Sequence, residues 1–595
     1  MTTILDSTKE FNRKETQRMA QLNRKYLLFS IPLIVLLAAG GWYYARRSGQ
    51  RNPIARYVPA TAIGYVEIGN GPRLLDELRA TKAWGRLGPA YGVSDRLAAA
   101  SWAGRLSVLS KWASGSEAAA LADAQWALVV TAIEIDGDRL RPRLALMVET
   151  GQSADSIHAA LEKRVRELAE NSLGAVRQSE EKYAGVKLVS YHPVDDGGSR
   201  ERGLYAARVE GEWILANHPD PLRQCLDARL GRIPAMAGNF YWRQARQKVG
   251  AEGELFGFVT GEGVTRLLRS GSLLLSGGAV AKALLAGAVG DVLTDFSSKV
   301  CEGLAFGSSV ENGVVVDRYA VLAKPDLVES LQSVVQVADQ SARYLAYVPP
   351  GVREWTVFQV RSPHRTLNGI EQAISARVGV GQSFLLHQFL LGAREAFLGI
   401  DSDEVVDAAL GDEIVGLAFT GELEDRIWLL AVKDQGAMKT LLENYLSRKG
   451  AAIRRSSYGG IDLLTSSDAA RSAGAWLGDF VAVGKEAELR RLIEARQEAQ
   501  SLRDLAQFTG AARPATPGAI TSYYRVSYEA DRMMRDLAQL TGASPDLAAG
   551  RLAGQLPFAV RSTSLDREGI LLETRSPLGN FPLLVAAIAS VSNDD

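Results

Sequence analysis

Residues 57–80, YVPATAIGYVEIGNGPRLLDELRA, hold the pattern from which the rest of the chain is read. Tyr57-Val58-Pro59 leads into residues 62–68, where apolar side chains alternate as on a half-buried strand. Asn70-Gly71-Pro72 then places a proline near the first turn of a helix. Leu74, Leu75 and Leu78 form one apolar face of that helix. The same order returns about 290 positions later. Tyr347-Val348-Pro349 precedes an apolar strand at 355–360, and Ser362-Pro363 opens a helix carrying Leu367, Ile370 and Ile374.

Further segments repeat in the same order. Strands at 126–134 and 143–149, joined near Asp136-Gly137-Asp138 and followed by a helix at 153–168, match strands at 414–420 and 427–432 and a helix at 436–446. Tyr183-Ala184-Gly185-Val186-Lys187-Leu188 matches Tyr458-Gly459-Gly460-Ile461-Asp462-Leu463. Residues 211–216 match 478–483, each with a helix after it (219–226 and 486–493), and 256–260 match 523–527. The hairpin 304–310, Asn312-Gly313, 314–319 matches 558–565, Glu568-Gly569, 570–574.

An ordered series of this kind reads as two diverged copies of one module, and long internal periods set an architecture. The modules are expected at 54–335 and 343–580. The strands alternate rather than run continuously apolar, which points to mainly antiparallel sheets with one covered face, hence an α+β class. The extra chain at 272–293 is apolar, but Lys282 and four glycines favour a packed helix over a second membrane span.

The chain is 595 residues long, enough for three or four compact units. Lysine plus arginine equals aspartate plus glutamate at 68 each, which leaves no field to recruit nucleic acid. Aromatic and basic residues do not interleave, so no platform for single strands is expected either. With 47% hydrophobic and 23% charged residues the composition is that of an ordinary globular chain.

Residues 26–44, YLLFSIPLIVLLAAGGWYY, contain no charge. At about 1.5 Å per residue, such a helix spans the roughly 30 Å hydrocarbon core of a bilayer. The expected anchor, at 26–45, is formed by Tyr26, Leu27, Leu28, Phe29, Ile31, Leu33, Ile34, Val35, Leu36 and Leu37, with Trp42, Tyr43 and Tyr44 at headgroup depth. Pro32 is tolerated in such a helix. Lys14, Arg18, Arg24 and Lys25 outweigh Arg46, Arg47 and Arg51, which places residues 1–25 in the cytoplasm and the bulk of the chain outside it. Ala38-Ala39-Gly40 offers the alternative of a cleaved signal, yet the mixed-charge tail of 25 residues is long for one. Both readings export the body.

No catalytic signature is found. The nucleophile elbow G-x-S-x-G is absent. Residues 478–485 imitate a phosphate loop with the wrong spacing, and Glu486 stands where Ser or Thr is needed. Gly261-Glu262-Gly263 and Gly379-Val380-Gly381 lack the third glycine of a dinucleotide fingerprint. His158, His192, His218, His364 and His387 form no ligand pair by spacing; His192 and His218 precede proline and suit exposed loops. Asp401-Ser402-Asp403-Glu404 with Asp407 reads as an acidic helix start, because Val405 and Val406 interrupt a calcium-loop pattern. Cys225 and Cys301 lie in apolar contexts and read as buried free thiols. The apolar run 384–400 reads as core packing, with a groove for an acyl chain or partner helix as its alternative. No cofactor and no metal site is expected.

Tyr57-Val58-Pro59 with its strand, the helix ending at Lys82-Ala83-Trp84-Gly85-Arg86-Leu87, the stretch Leu398-Gly399-Ile400-Asp401 leading to Leu410-Gly411-Asp412-Glu413, and the paired Tyr-x-Gly segments carry a resemblance. Across most of residues 56–578 the chain resembles a bacterial family of exported, membrane-anchored proteins built on a domain of unknown function. The resemblance implies one N-terminal helix, a large α+β body and a place in the cell envelope, and it carries no active site.

Together these readings give a membrane-tethered extracytoplasmic scaffold or binding protein of the bacterial envelope. Its expected partners are the bilayer, through the N-terminal helix, and an envelope protein or lipid, without nucleic acid. The alternatives are an envelope hydrolase whose site assembles only in the fold, and a lipid- or lipoprotein-handling protein.

Overall fold

The structure is a computed structural model and describes residues 54–580, apart from 94–123, 150–154, 195–202, 276–293, 389–402 and several shorter stretches. The anchor residues at 26–45 therefore lie outside the described residues. Among the described residues no helix is long and apolar enough to cross a membrane.

Among the described residues, ten strands come from the first half of the chain: β1 (Gly64–Ile68), β2 (Gln125–Asp136), β3 (Arg139–Glu149), β4 (Val176–Tyr183), β5 (Val186–Pro193), β6 (Leu204–Val209), β7 (Glu212–Ala216), β8 (Leu255–Thr260), β9 (Cys301–Glu311) and β10 (Val314–Ala323). Ten more follow: β11 (Glu354–Gln359), β12 (Leu410–Ala418), β13 (Ile427–Val432), β14 (Ile453–Tyr458), β15 (Ile461–Ser466), β16 (Ser472–Trp476), β17 (Phe480–Lys485), β18 (Ile520–Tyr524), β19 (Ala559–Asp566) and β20 (Gly569–Ser576). The hydrogen-bond registers join them in the order β4-β5-β6-β7-β3-β2-β1-β8-β9-β10-β20-β19-β18-β11-β12-β13-β17-β16-β15-β14. Every pairing is antiparallel.

This corrects the expected class. In place of two α+β modules, the described residues form one antiparallel sheet of 20 strands, predominantly β, with helices laid on both faces. The joint is the β10–β20 ladder, which runs from Val315↔Ser576 to Leu322↔Gly569. An unpaired edge at β10 and another at β20 would each leave backbone N–H and C=O groups without partners. Pairing them removes both edges, and β4 and β14 remain as the outer ones. Each outer strand carries charge (RQSEEK in β4, RR in β14), which discourages edge-to-edge association.

Turn chemistry sets the hairpins. Asn312 and Gly313 both adopt positive φ (52° and 79°), as a two-residue turn matched to strand twist requires. Ala184 and Gly185 do the same (56° and 87°) between β4 and β5. Three expected elements fall differently. The segment at 82–87 starts a helix, Lys82–Ala90, because Thr81 accepts the Trp84 N–H and breaks the chain from the helix before it. The strand expected at 523–527 is β18, which ends at Tyr524, and Ser527 begins the helix Ser527–Leu540. Gly261-Glu262-Gly263, whose glycines read as a turn, instead open the helix Gly261–Leu275, where a Cβ at Gly263 would overlap the Ile63 carbonyl.

One face of the sheet carries two cores. Tyr65, Val129, Met147, Phe256 and Phe258 pack beneath the helices Pro219–Arg229 and Phe240–Lys248. Trp355 anchors the other, stacked on Tyr523 at 4.7 Å between centroids and edge-on to Phe558 at 5.0 Å. The opposite face holds clusters under Asp155–Leu173, under Gln435–Leu446 and around Trp84, Tyr91 and Met534.

Asp317 sits on β10 with no exposed surface, accepting hydrogen bonds from Ser308 Oγ (2.6 Å) and the Asn580 backbone N–H (2.9 Å). Burial nevertheless raises its carboxyl above the usual range. A raised folded-state value means a contribution that is present below the unfolded value and lost as pH rises through the folded one. Asp317→Asn removes this term, so its melting temperature relative to wild type should climb from pH 4 towards pH 7. A difference, variant minus wild type, that stays flat or falls over that range would contradict the assignment.

Candidate functional site

The helix Asp155–Leu173 lies over β5, β6 and β7 and buries Leu161, Val165 and Ala169, one residue per turn, against Tyr191, Ala206, Trp213 and Leu215. Towards its N-terminal half the helix and sheet part to leave a cleft of about 430 Å³. That volume lies within the range of about 300–1,000 Å³ typical of small-ligand sites. Its floor is Val189, Tyr191, Ala206 and Trp213, with Val165 as the roof. Both rings are buried, Tyr191 to 1% exposure and Trp213 to 7%.

The mouth is charged. Glu162 reaches it from the helix, Lys187 and Arg208 from the sheet, and Glu210 from the turn after β6. Lys187 Nζ lies 2.8 Å from Glu180, and this hydrogen bond raises its pKa. Arg208 Nε donates to the Glu210 carbonyl at 3.2 Å, while the Glu210 carboxylate lies 3.3 Å from Arg229. Burial raises the Tyr191 hydroxyl, and a hydrogen bond with Arg166 opposes that shift. The described lining includes no Ser, Cys or His, so what the arrangement offers is an apolar bed with charged groups at one end.

The two outer parts of the sheet differ at one matching position. Ala206 occupies the third strand from one edge of the sheet. On the third strand from the other edge stands Gly474, where a Cβ would lie 2.5 Å from Leu442 Cδ1. Without that Cβ the helix Gln435–Leu446 seats Met438, Leu441, Leu442 and Leu446 directly on Leu464 and Val481, and the space is filled. Beneath the helix Asp155–Leu173 the matching position is Ala206, packed with Leu161, Val165 and Ala169 between the Tyr191 and Trp213 rings.

Residues singled out from sequence are not brought together. The anchor set from Tyr26 to Tyr44 lies outside the described residues. His192 is part of β5, edge-on to the Tyr205 ring at 5.5 Å, rather than in an exposed loop. His218 caps the helix Pro219–Arg229 by accepting the Asp220 N–H at 3.2 Å. His364 is buried beside Asn368 (3.0 Å), and His387 meets Glu371 at 2.6 Å. His158 lies on the helix Asp155–Leu173. The acidic run begins the helix Asp403–Ala409, where Asp407 accepts from Arg365 Nε at 2.6 Å. Among the described residues no group of three or more His, Cys, Asp and Glu converges.

Cys225 is buried, and burial pushes its thiol up. Cys301, expected to be buried, is only partly so; both cysteines are free. Phe384, expected in the core, is 61% exposed, and most of 385–400 lies outside the described residues.

A second constellation serves the fold. Glu67, buried on β1, is engaged by Arg246, and Trp242 Nε1 donates to the Tyr65 hydroxyl at 2.5 Å. These bonds pin the helix Phe240–Lys248 to the sheet. Comparison of the chain with protein-family models, curated proteins and solved structures finds no match.

Proposed function

We propose that this chain is a membrane-tethered binding protein of the bacterial envelope, and that the cleft beneath Asp155–Leu173 is where it holds its ligand. The observation that carries this reading is the cleft itself: an aromatic and aliphatic bed, charged at one end, on the broad face of a continuous antiparallel sheet. A sheet hydrogen-bonded on both sides of β5, β6 and β7 holds the floor side chains in fixed positions. The apolar stretch at 26–44 supports the tether, and the charge balance argues against nucleic acid.

The test is photo-crosslinking in cells, with a benzophenone amino acid placed at Glu162 on the cleft mouth or, as reference, at Glu443 on the filled side. A species captured from position 162 and absent from 443, and lost again when Ala206→Leu is added, is the expected result. The same species from both positions, or capture indifferent to Ala206→Leu, contradicts the proposal.

A further inference from the structure

We infer that the cleft selects an anionic amphiphile: a carboxylate or phosphate head at the mouth and an apolar body on Trp213 and Tyr191. The inference rests on the cleft being a binding site, and it adds the chemistry of the ligand.

The argument comes from register. Lys182 on β4 pairs with Lys187 on β5 across the Ala184-Gly185 turn. Leu188 pairs with Ala207 on β6, so the next residue, Arg208, stands beside Lys187. Arg208 in turn pairs with Trp213 on β7. Three cations and then an indole therefore form one lateral row across four adjacent strands, on the face that carries the cleft. Side chains directly opposite on neighbouring strands are about 4.5–5.5 Å apart at Cβ, and like charges in such positions repel. A bound anion at the mouth lies within reach of neighbouring cations of the row and gains charge-assisted hydrogen bonds.

The groups facing the row are Glu180 on β4, Glu162 and Arg166 on the helix, and Glu210 in the β6–β7 turn. Glu180 is held by Lys187 and Glu210 leans to Arg229, so Lys182, Lys187, Arg208 and Arg166 face three carboxylates, two of which are already engaged by cations. Behind the row the lining changes to Val165, Val189, Tyr191 and Trp213. A head that is charged and a body that is not match this order, whereas a neutral or cationic ligand of the same shape meets the row unfavourably.

The experiment is equilibrium dialysis with the full chain in lipid nanodiscs, using empty nanodiscs as the reference. The probes are decanoate, decyl phosphate and neutral decanol. Saturable binding of at least one acid, about tenfold or more tighter than decanol, is expected. Lys187→Gln combined with Arg208→Gln, both exposed and so compatible with folding, should bring that acid to the level of decanol. Decanoate and decyl phosphate together tell a free fatty acid from a lipid-type phosphate head. Ala206→Leu should weaken acid and alcohol alike.

Equal affinity for acid and alcohol, with both lost in Ala206→Leu, overturns the inference and leaves the cleft as a binding site. Wild-type binding of no probe, or acid binding untouched by the charge substitutions and by Ala206→Leu, overturns the inference and counts against the cleft as well.

Discussion

Gly569→Ala is expected to destabilise the chain by about 3 kcal/mol or more, with the loss centred on the joint between the two halves of the sheet. Gly569 opens β20 with φ at 132°, a region an L side chain rarely enters. It pairs with Leu322 on β10, and a Cβ there would overlap the Val321 carbonyl oxygen and crowd the Ala323 nitrogen. Backbone strain of this kind costs of order 1–3 kcal/mol. The overlap with backbone adds to it, because neither strand can rotate a side chain out of the way. Hydrogen exchange locates the damage: amides of β10 and β20 should lose protection first, while β5, β6 and β7 keep theirs. Uniform loss over the whole sheet, or a melting temperature equal to wild type, would contradict this account.

The second large effect belongs to Glu573, on the same ladder. Its carboxylate accepts from Arg318 Nε at 2.9 Å and Arg575 Nε at 2.8 Å, and Glu311 bridges the same two arginines at 2.7 and 3.1 Å. These side chains are 8–14% exposed except Glu311, at 34%. Removing one member of such a network leaves its counter-charges poorly solvated, and about 3 kcal/mol is lost when a buried pair is broken in this way. Glu573→Ala should therefore cost about 3 kcal/mol in chemical denaturation, and adding Arg318→Met should return part of that loss. Strictly additive losses in the double variant would show that the two groups are not coupled.

Much of the local structure was legible from sequence. Asn312-Gly313 between alternating runs predicts a hairpin, and the structure has β9 and β10 there with both turn residues at positive φ. Pro363 after Ser362 predicts a helix start, and the helix Pro363–Ser375 begins at that proline. Such signals act over a few residues, so they survive without knowledge of the rest of the fold.

The candidate site was only partly legible. Residues 183–188 and 211–216 are legible as segments matched in the second half of the chain, while nothing in their pattern groups Lys182, Lys187, Arg208 and Trp213. One signal was present: a two-residue turn at Ala184-Gly185 makes Lys182 and Lys187 cross-strand neighbours. Arg208 joins them only through the β5–β6 register, which no two-residue turn fixes.

What the sequence by itself determined is the run of local elements, the balanced charge and the apolar stretch at 26–44, because periodicity, turn chemistry and composition are properties of short windows. What only the tertiary structure decided is how the strands combine. Arg318 and Glu573 are 255 positions apart, and their pairing turns what reads as two α+β modules into one sheet. The pattern of β10 alone is equally compatible with an edge strand, since alternation specifies which face is buried and not which strand lies alongside. The cleft is decided in the same way, by the packing of the helix Asp155–Leu173 on strands whose matching positions carry Ala206 in one half and Gly474 in the other. A difference of one carbon gains its meaning from the packing around it.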